Sequence, residues 1–206
     1  MPAEVEPPTP EFPWRPPFTV DLLFELPDTG LRYEVLEGAL VVTPAPEPRH
    51  NRAADRLTAL FYRLLAPEVE AITNVAVRMP NGDGPIPDVI VTTADPEEHP
   101  RGVPAALVHT VIEVVSPSNA TDDRVKKTAL YAAAGIPCYW RVELATWREH
   151  LGPIPAIVVR LLGEDGEWHT DTHAAGATAR LPLVVGPGPK ILPVALDPAT
   201  LVGRRR

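Results

Sequence analysis

The sequence predicts an α/β or α+β protein in which two helices flank one mixed β-sheet. The first observation is a set of short, apolar, β-branched segments in the middle of the chain. Of these, residues 107–115 (LVHTVIEVV) are apolar on both faces except at His109 and Glu113. The second observation is a pair of amphipathic helical segments at residues 50–66 and 122–134. A strand that is apolar on both faces needs cover on both sides of the sheet, and the two helices provide it.

The N-terminal half contains the clearest helix of the chain. A short helix is expected over residues 19–26, with Thr19 as its cap. Residues 32–43 (RYEVLEGALVVT) are typical of two strands joined by a turn at Glu37-Gly38. The helix at residues 50–66 follows, and its apolar stripe consists of Leu57, Leu60, Phe61, Leu64 and Leu65.

The remaining elements alternate between strands and one helix. Two strands are expected at residues 71–79 and 87–93, separated by the turn sequence NGDGP. The helix at residues 122–134 has carboxylates in its first turn and Gly135 as its C-terminal stop. Strands follow in the segments CYWRVEL and IPAIVVRLL, then a turn at Asp165-Gly166, then short strands up to about residue 201.

The length of 206 residues suits one compact domain with flexible ends. Residues 1–17 contain seven prolines and three glutamates, which predicts a disordered or loosely docked arm. Residues 18–201 are expected to form a single domain. Residues 202–206 are expected to form a basic tail, which ends in three arginines.

Charge and hydropathy exclude several classes of protein. The formal net charge of −8 disfavours binding of nucleic acid through a broad basic surface, although it permits a local basic strip or a cation held by carboxylates. No apolar run approaches the roughly 18 residues of a membrane span. Cys138 is the only cysteine and is expected in the core, and the absence of a signal sequence predicts a cytoplasmic protein.

The candidate functional residues are carboxylates at two strand positions and a polar face on the second helix. Asp88 opens an otherwise apolar strand, and Glu113 lies inside one. An unpaired buried carboxylate costs several kcal/mol, so Glu113 must have a partner such as a cation or a hydrogen-bond donor. Asp123, Lys127 and Tyr131 are spaced i, i+4 and i+8, which places them on one helical face.

Two carboxylates from neighbouring strands together with a lysine suit phosphodiester hydrolysis. Mg²⁺ takes oxygen ligands, keeps several waters, and is often bound by one or two carboxylates plus substrate phosphate. The ion polarises the phosphoryl oxygen and lowers the pKa of a bound water. A nearby lysine can orient that water or stabilise the charge that develops on phosphorus.

These motifs resemble the Uma family of restriction endonucleases, within the PD-(D/E)XK nuclease superfamily. The family pattern has PD in one strand, then E-x-x-S-P-S, D-x-x-x-K-x-x-x-Y and A-G-(V/I)-x-x-Y-W. This chain supplies Pro87-Asp88, Glu113 to Ser118, Asp123 to Tyr131, and Ala134 to Trp140 in that order. Upstream, the segment YEVLEG at residues 33–38 resembles the family's Y-E-(L/I)-x-(D/E)-G hairpin, and His50 stands where the family has a histidine. The resemblance covers roughly residues 18–201.

The resemblance implies a restriction-endonuclease-like fold and a set of site residues. Asp88 and Glu113 would bind Mg²⁺, with Mn²⁺ as a substitute, together with the backbone carbonyl of Val114. Lys127 would be the catalytic lysine and Glu34 an additional acid near the metal. The accessory residues would be His50, Asp123 and Tyr131, of which Tyr131 would orient Lys127 or contact phosphate. DNA would be the substrate, and many relatives act as dimers, so a homodimer is expected.

The chain departs from the superfamily at the lysine. The superfamily's E-x-K pattern has lysine two residues after the glutamate, where this chain has Val115. The Uma pattern moves that lysine to the helix, as Lys127. Arg141 and Glu143 also depart from the family's YW-(I/L)-V-D pattern, and the sequence assigns neither a role.

Each motif also has an ordinary structural interpretation. Asp88 could bond a turn amide, and Glu113 could form a structural ion pair with Lys127 or Arg124. The polar face of the second helix could be a surface ladder, with about 0.3–0.5 kcal/mol per pair. Glu34 could face solvent, and His50 could be a helix-terminal residue bonded to the backbone.

Two further sequence patterns each have a functional and a structural interpretation. Arg52, Arg56 and Arg63 could follow a phosphate backbone, although a solvated helix face is the commoner meaning of such spacing. In the segment HTDTH, residues 169–173, an extended chain would place His169, Asp171 and His173 on one face as zinc or manganese ligands. The spacing is not a usual zinc signature, and a polar turn is the preferred interpretation.

The sequence therefore supports three functions. The first is a Mg²⁺-dependent endonuclease acting on DNA. The second is a catalytically silent module of the same fold that binds nucleic acid or protein, which the acidic charge favours. The third is a metal-dependent hydrolase for RNA or branched substrates.

Overall fold

A six-stranded mixed sheet organises the molecule. The computed structural model describes residues 14–115, 122–188 and 190–203. Most of the predicted arm, the Ser116-Pro117-Ser118 motif and the terminal arginines lie outside the described residues.

Two α-helices and one π-helical turn lie in the described part of the chain. Helix α1 extends over Pro48–Leu64 and α2 over Lys127–Ala133. A π-helical turn, Asp122–Lys126, directly precedes α2. Short 3-10 helices occur at Val20–Phe24, Ala105–Leu107 and Pro198–Leu201.

The strands of the described residues are short, and β7 is the longest. In chain order they are β1 (Arg32–Leu36), β2 (Ala39–Thr43), β3 (Glu70–Thr73), β4 (Val77–Arg78), β5 (Val89–Thr92), β6 (Val103–Pro104), β7 (Val108–Val115), β8 (Cys138–Glu143), β9 (Ala156–Leu162), β10 (Trp168–Ala174), β11 (Ala179–Val184) and β12 (Ile191–Leu196).

The main sheet has the strand order β10-β9-β8-β7-β5-β3. Only β7 and β8 pair in parallel within it, and α2 with its π-helical turn forms the crossover between them. The other neighbours in this sheet pair antiparallel, so the predicted mixed sheet is confirmed. The pairs β1-β2, β4-β6 and β11-β12 form separate two-stranded sheets.

Most predicted elements are confirmed, with several corrections. The hairpin turn has positive φ at Glu37 and Gly38, as a two-residue type I′ turn requires. The strand expected at residues 71–79 is instead two strands in different sheets, because Asn74 adopts a positive φ between them. The helix expected at residues 19–26 is a shorter 3-10 helix, and the side chain of Thr19 forms no cap hydrogen bond.

The two faces of the main sheet carry separate cores. On one face α1 packs Leu57 and Phe61 against strand residues such as Trp140, whose ring meets Phe61 edge-on at 5.6 Å. On the other face α2 packs Tyr131 against Tyr139, with ring centroids 5.1 Å apart. Because side chains alternate along each strand, Glu113 points to the α2 face.

One residue of the predicted apolar stripe of α1 differs in the structure. Leu64 is 44% exposed, whereas Leu60 and Leu65 pack against the core. No helix within the described ranges is long and apolar enough to cross a membrane.

Candidate active site

Asp88 directly precedes β5, one of the central strands of the main sheet. Since Val89 pairs with Ile112 in the antiparallel register of β5 and β7, Asp88 comes next to the position of Glu113. Asp88 Oδ1 accepts hydrogen bonds from Arg32 at 3.1 Å and from His50 Nε2 at 2.9 Å. Its other oxygen accepts one from the Val114 amide at 2.7 Å.

These donors keep Asp88 ionised although it is buried. Burial by itself would raise the pKa of Asp88, but the hydrogen bond and charge of His50, with the charge of Arg32 and the Val114 amide, lower the pKa overall. Asp88 is therefore bonded by groups from three other elements and does more than bond a turn amide. The predicted role of the Val114 carbonyl stays a prediction.

Glu113 is buried in β7 and has the partners that its burial requires. Its Oε1 accepts from Lys127 Nζ at 2.9 Å and from the Tyr131 hydroxyl at 2.6 Å. Burial raises the pKa of Glu113 well above the ordinary value; Lys127 opposes the shift, and the nearby carboxylates, Asp123 foremost, add to it. Tyr131 is fully buried and donates to the same Glu113 oxygen that Lys127 contacts, and its predicted role, orienting Lys127 or contacting phosphate, stays a prediction.

Lys127 is the centre of the cluster. Its ammonium group lies 2.9 Å from Glu34 Oε1, 2.9 Å from Glu113 Oε1 and 3.3 Å from Asp123 Oδ1, and its side chain is 2% exposed. Burial lowers the pKa of Lys127, but the carboxylates outweigh burial and hold that pKa well above the ordinary value. Lys127 is therefore a protonated cation shared by three carboxylates.

Asp123 contributes the least satisfied carboxylate. It is fully buried; among the described residues neither of its oxygens accepts a hydrogen bond of good geometry, and the Lys127 ammonium lies 3.3 Å from Oδ1. Burial raises the pKa of Asp123 to about 6, with Lys127 opposing the shift and Glu34 and Asp88 adding to it. The interpretation of this helix face as a surface ladder is wrong, because Asp123, Lys127 and Tyr131 are all buried.

The hairpin β1-β2 supplies Glu34. Glu34 is 6% exposed and accepts a hydrogen bond from the Ile86 amide at 2.6 Å. The solvent-facing interpretation of Glu34 is therefore wrong. Sequence reasoning missed Arg32, two residues earlier on the same face of β1, which bonds both Asp88 and the Ile86 carbonyl. A basic residue at i−2 from a site acid was the signal that could have identified it.

The donor set fits a partly hydrated divalent ion. Four carboxylates (Glu34, Asp88, Glu113 and Asp123) meet two permanent cations, Arg32 and Lys127, so the acidic groups outnumber these cations. Within the described ranges, no three His, Cys, Asp or Glu side chains are arranged to enclose a metal by themselves. Mg²⁺ needs only one or two carboxylates when water and phosphate complete its shell, so the residues fit that ion.

A cleft opens beside Asp88. It has a volume of about 380 Å³ and is lined by Arg32, Asn51, Thr73, Asn74 and Asp88, with His50 at the N-terminal turn of α1. Glu113, Asp123 and Lys127 are all nearly inaccessible, and Arg32, His50 and Asp88 are the site residues that line this cleft.

The arginines of α1 do not all lie on a solvated face, which was the preferred interpretation of their spacing. Arg56 donates to the backbone carbonyls of Thr200, Val202 and Gly203 and so fastens the C-terminal segment to α1. Arg52 and Arg63 are exposed. The solvated-face interpretation is therefore confirmed for Arg52 and Arg63 and wrong for Arg56.

The segment HTDTH forms most of strand β10, so the preferred interpretation as a polar turn is wrong. The turn lies earlier, at Asp165-Gly166, where Gly166 has a positive φ. His169, Asp171 and His173 are not among any metal-holding group in the described part of the chain. Cys138 is buried, as expected.

The mixed sheet, its parallel β7-β8 crossover through α2, and the acid-lysine cluster at the sheet centre define a protein of the restriction-endonuclease-like class. A crystal structure of a putative nuclease belonging to DUF820, from Anabaena variabilis, has the same fold. It matches with a TM-score of 0.59 and 16% identity, over 81% of this chain and 89% of that chain. No curated protein matches the chain significantly.

The chain belongs to the Uma2 family, described as "Putative restriction endonuclease". The family model matches residues 20–187, a range that includes all the carboxylates described above and Lys127. The resemblance inferred from the motifs is thereby confirmed. The roles of the individual site residues stay predictions.

Proposed function

We propose that the protein is a Mg²⁺-dependent endonuclease that hydrolyses DNA phosphodiester bonds. The observation that carries the proposal is the buried Lys127 ammonium, shared by Glu34, Glu113 and Asp123, with the ionised Asp88 at the strand position next to Glu113. Burying so many ionisable groups costs free energy, and such clusters are typical of functional sites. Membership of a nuclease family supports a catalytic role for this one.

Asp88 and Glu113 would hold the ion, which when bound would polarise the scissile phosphate and acidify a water. Arg32 and His50 would keep Asp88 ionised and oriented through their hydrogen bonds to its Oδ1. Lys127 would act as a fixed positive charge for the developing phosphorane charge, since its raised pKa makes it a poor base. The substrate backbone would enter through the cleft lined by Arg32 and Asn51.

The test is cleavage of plasmid DNA with Mg²⁺ by wild type, Glu113→Gln and Lys127→Met. The matched control is Glu70→Gln, because Glu70 is an exposed glutamate on β3 of the same sheet. We expect both site variants to lose at least about hundredfold in rate, the control to keep wild-type activity, and chelation to abolish cleavage. Cleavage that survives in folded Glu113→Gln would contradict the proposed site.

The silent module is the second candidate, since the net charge of −8 opposes non-specific affinity for DNA. Wild type that cuts neither duplex, single-stranded nor branched DNA, nor RNA, would establish that alternative. If the protein prefers to cleave RNA or branched DNA, the proposed hydrolysis mechanism stands and only the proposed substrate changes. Light scattering of the same samples tests the expected homodimer.

A further inference from the structure

A bidentate ion pair joins the π-helical turn to strand β8. Arg124 donates through Nε to Glu143 Oε1 at 3.1 Å and through Nη2 to Oε2 at 2.7 Å. Glu143 is fully buried at the end of β8. Two parallel bonds between a guanidinium and a carboxylate fix both distance and direction, which a lysine could not do.

The π-helical turn that Arg124 bonds to β8 contains one residue of the cluster and directly precedes another. Asp123 precedes Arg124, and Lys127 follows at the first position of α2. A second tie, from the Tyr139 hydroxyl to the Asp123 carbonyl at 2.8 Å, joins the same turn to the same strand. Strand β8 is the parallel neighbour of β7, so both ties set the turn relative to the strand of Glu113.

A π-helical turn is uncommon and poorly stabilised by its own hydrogen bonds. It therefore needs ties of this kind to keep one geometry. A buried ion pair is weak evidence for stability, because desolvation opposes the attraction of the charges. The ion pair lies on the turn that carries Asp123 and leads into Lys127. Its main effect is therefore expected on the positions of these two side chains rather than on stability.

Glu143 does not depend on Arg124 alone for its charge balance. Arg141 Nε lies 2.7 Å from Glu143 Oε1, and the Trp147 ring lies 5.9 Å from the Arg124 guanidinium and 5.7 Å from that of Arg141. Removing Arg124 therefore leaves Glu143 paired, so the fold can survive the substitution.

We propose that Arg124 and Glu143 are positioning residues, which fix the π-helical turn so that Asp123 and Lys127 meet Glu113. The catalytic consequence rests on the proposed function, whereas the fixing of the turn can be tested without activity.

The first measurement is amide hydrogen exchange of Arg124→Met at peptide resolution. We expect amides within Asp122–Lys126 to exchange at least about tenfold faster than in wild type, with β8 unchanged. The matched control is Arg78→Met, because Arg78 forms a pair of similar length, 3.0 Å, with Asp21 away from the cluster. Faster exchange across the whole chain, or none beyond the control, would overturn the proposal.

The second measurement is steady-state DNA cleavage by Arg124→Met, Glu143→Gln and Arg124→Lys. We expect kcat to fall about tenfold to hundredfold in the first two, with KM changed less than twofold, because a misplacement of about 1 Å has effects of that size. Arg124→Lys keeps the charge without the fork and should recover part of the kcat loss.

The outcomes separate this inference from the proposed function. A higher KM with unchanged kcat would mean that Arg124 contacts substrate, and would overturn a positioning role. Local opening of the turn in Arg124→Met, together with a wild-type protein that cuts no substrate, would contradict the nuclease proposal and leave the fixing of the turn intact. An unopened turn would overturn the inference whether or not the protein cleaves DNA.

Discussion

Replacing Asp123 by asparagine is predicted to stabilise the metal-free protein near neutral pH. Asp123 is a buried carboxylate whose oxygens accept no hydrogen bond of good geometry from the part of the chain that the structure describes. Lys127 is the cation that faces it, and Glu34 and Asp88 oppose its ionisation. Asparagine has the same shape and carries no charge, so the substitution removes the cost of ionising this position.

The magnitude follows from the pKa shift of Asp123. Its pKa is about 6 in the folded protein and 3.8 ordinarily. Between these values the folded state holds a proton that the unfolded state has lost, so stability falls as pH rises through this window. At about pH 7 the loss is about 3 kcal/mol, since one pKa unit corresponds to about 1.4 kcal/mol. Asp123→Asn should avoid this loss.

Urea unfolding of wild type and Asp123→Asn, with chelator present, measures this directly. The two proteins should have nearly equal free energies of unfolding at about pH 4, and the variant should be more stable by up to about 3 kcal/mol at about pH 7. Equal m-values in both proteins exclude a change in the unfolded state. A variant that is less stable at about pH 7, or a difference that does not grow with pH, would refute the reasoning.

Three further predictions concern the rest of the structure. Lys127→Met should lower the free energy of unfolding by about 3–5 kcal/mol near neutral pH and by less in acid, where the raised pKa values let Glu113 and Asp123 protonate; urea unfolding at the two pH values checks this. Arg56→Met should cost about 1–2 kcal/mol in urea unfolding and leave Mn²⁺ affinity unchanged, because Arg56 bonds three carbonyls away from the cluster. Gly84→Ala should lower stability by about 1–3 kcal/mol in thermal unfolding, since a Cβ there would lie 2.6 Å from a methyl carbon of Val20.

Local chemistry in the sequence was enough to predict much of the fold. Gly38 readily adopts the positive φ that a tight hairpin turn needs, and this placed the turn at Glu37-Gly38. The apolar positions of α1 identified Leu57 and Phe61 as core. Burial of Glu113 within an apolar strand correctly required a partner, and Lys127 and Tyr131 are that partner.

Features that depend on tertiary contacts could not be predicted. The π-helical turn Asp122–Lys126 is bonded to β8 through Arg124 and the Asp123 carbonyl, and a helical periodicity reveals neither the turn nor these contacts. The strand at Trp168–Ala174 is polar because it lies at the sheet edge, so its composition suggested a turn. Arg56 was assigned to a solvated face because its carbonyl partners are about 145 residues away along the chain.

Calorimetric titration with Mn²⁺, comparing wild type and Glu113→Gln near neutral pH, distinguishes a metal site from a purely structural cluster. We expect wild type to bind the ion and Glu113→Gln, folded by circular dichroism, to lose at least about tenfold in affinity, because a carboxylate ligand and its charge are gone. Equal affinity in both proteins, or no binding by wild type, would mean that the buried acid-lysine cluster is a structural feature and not a metal site.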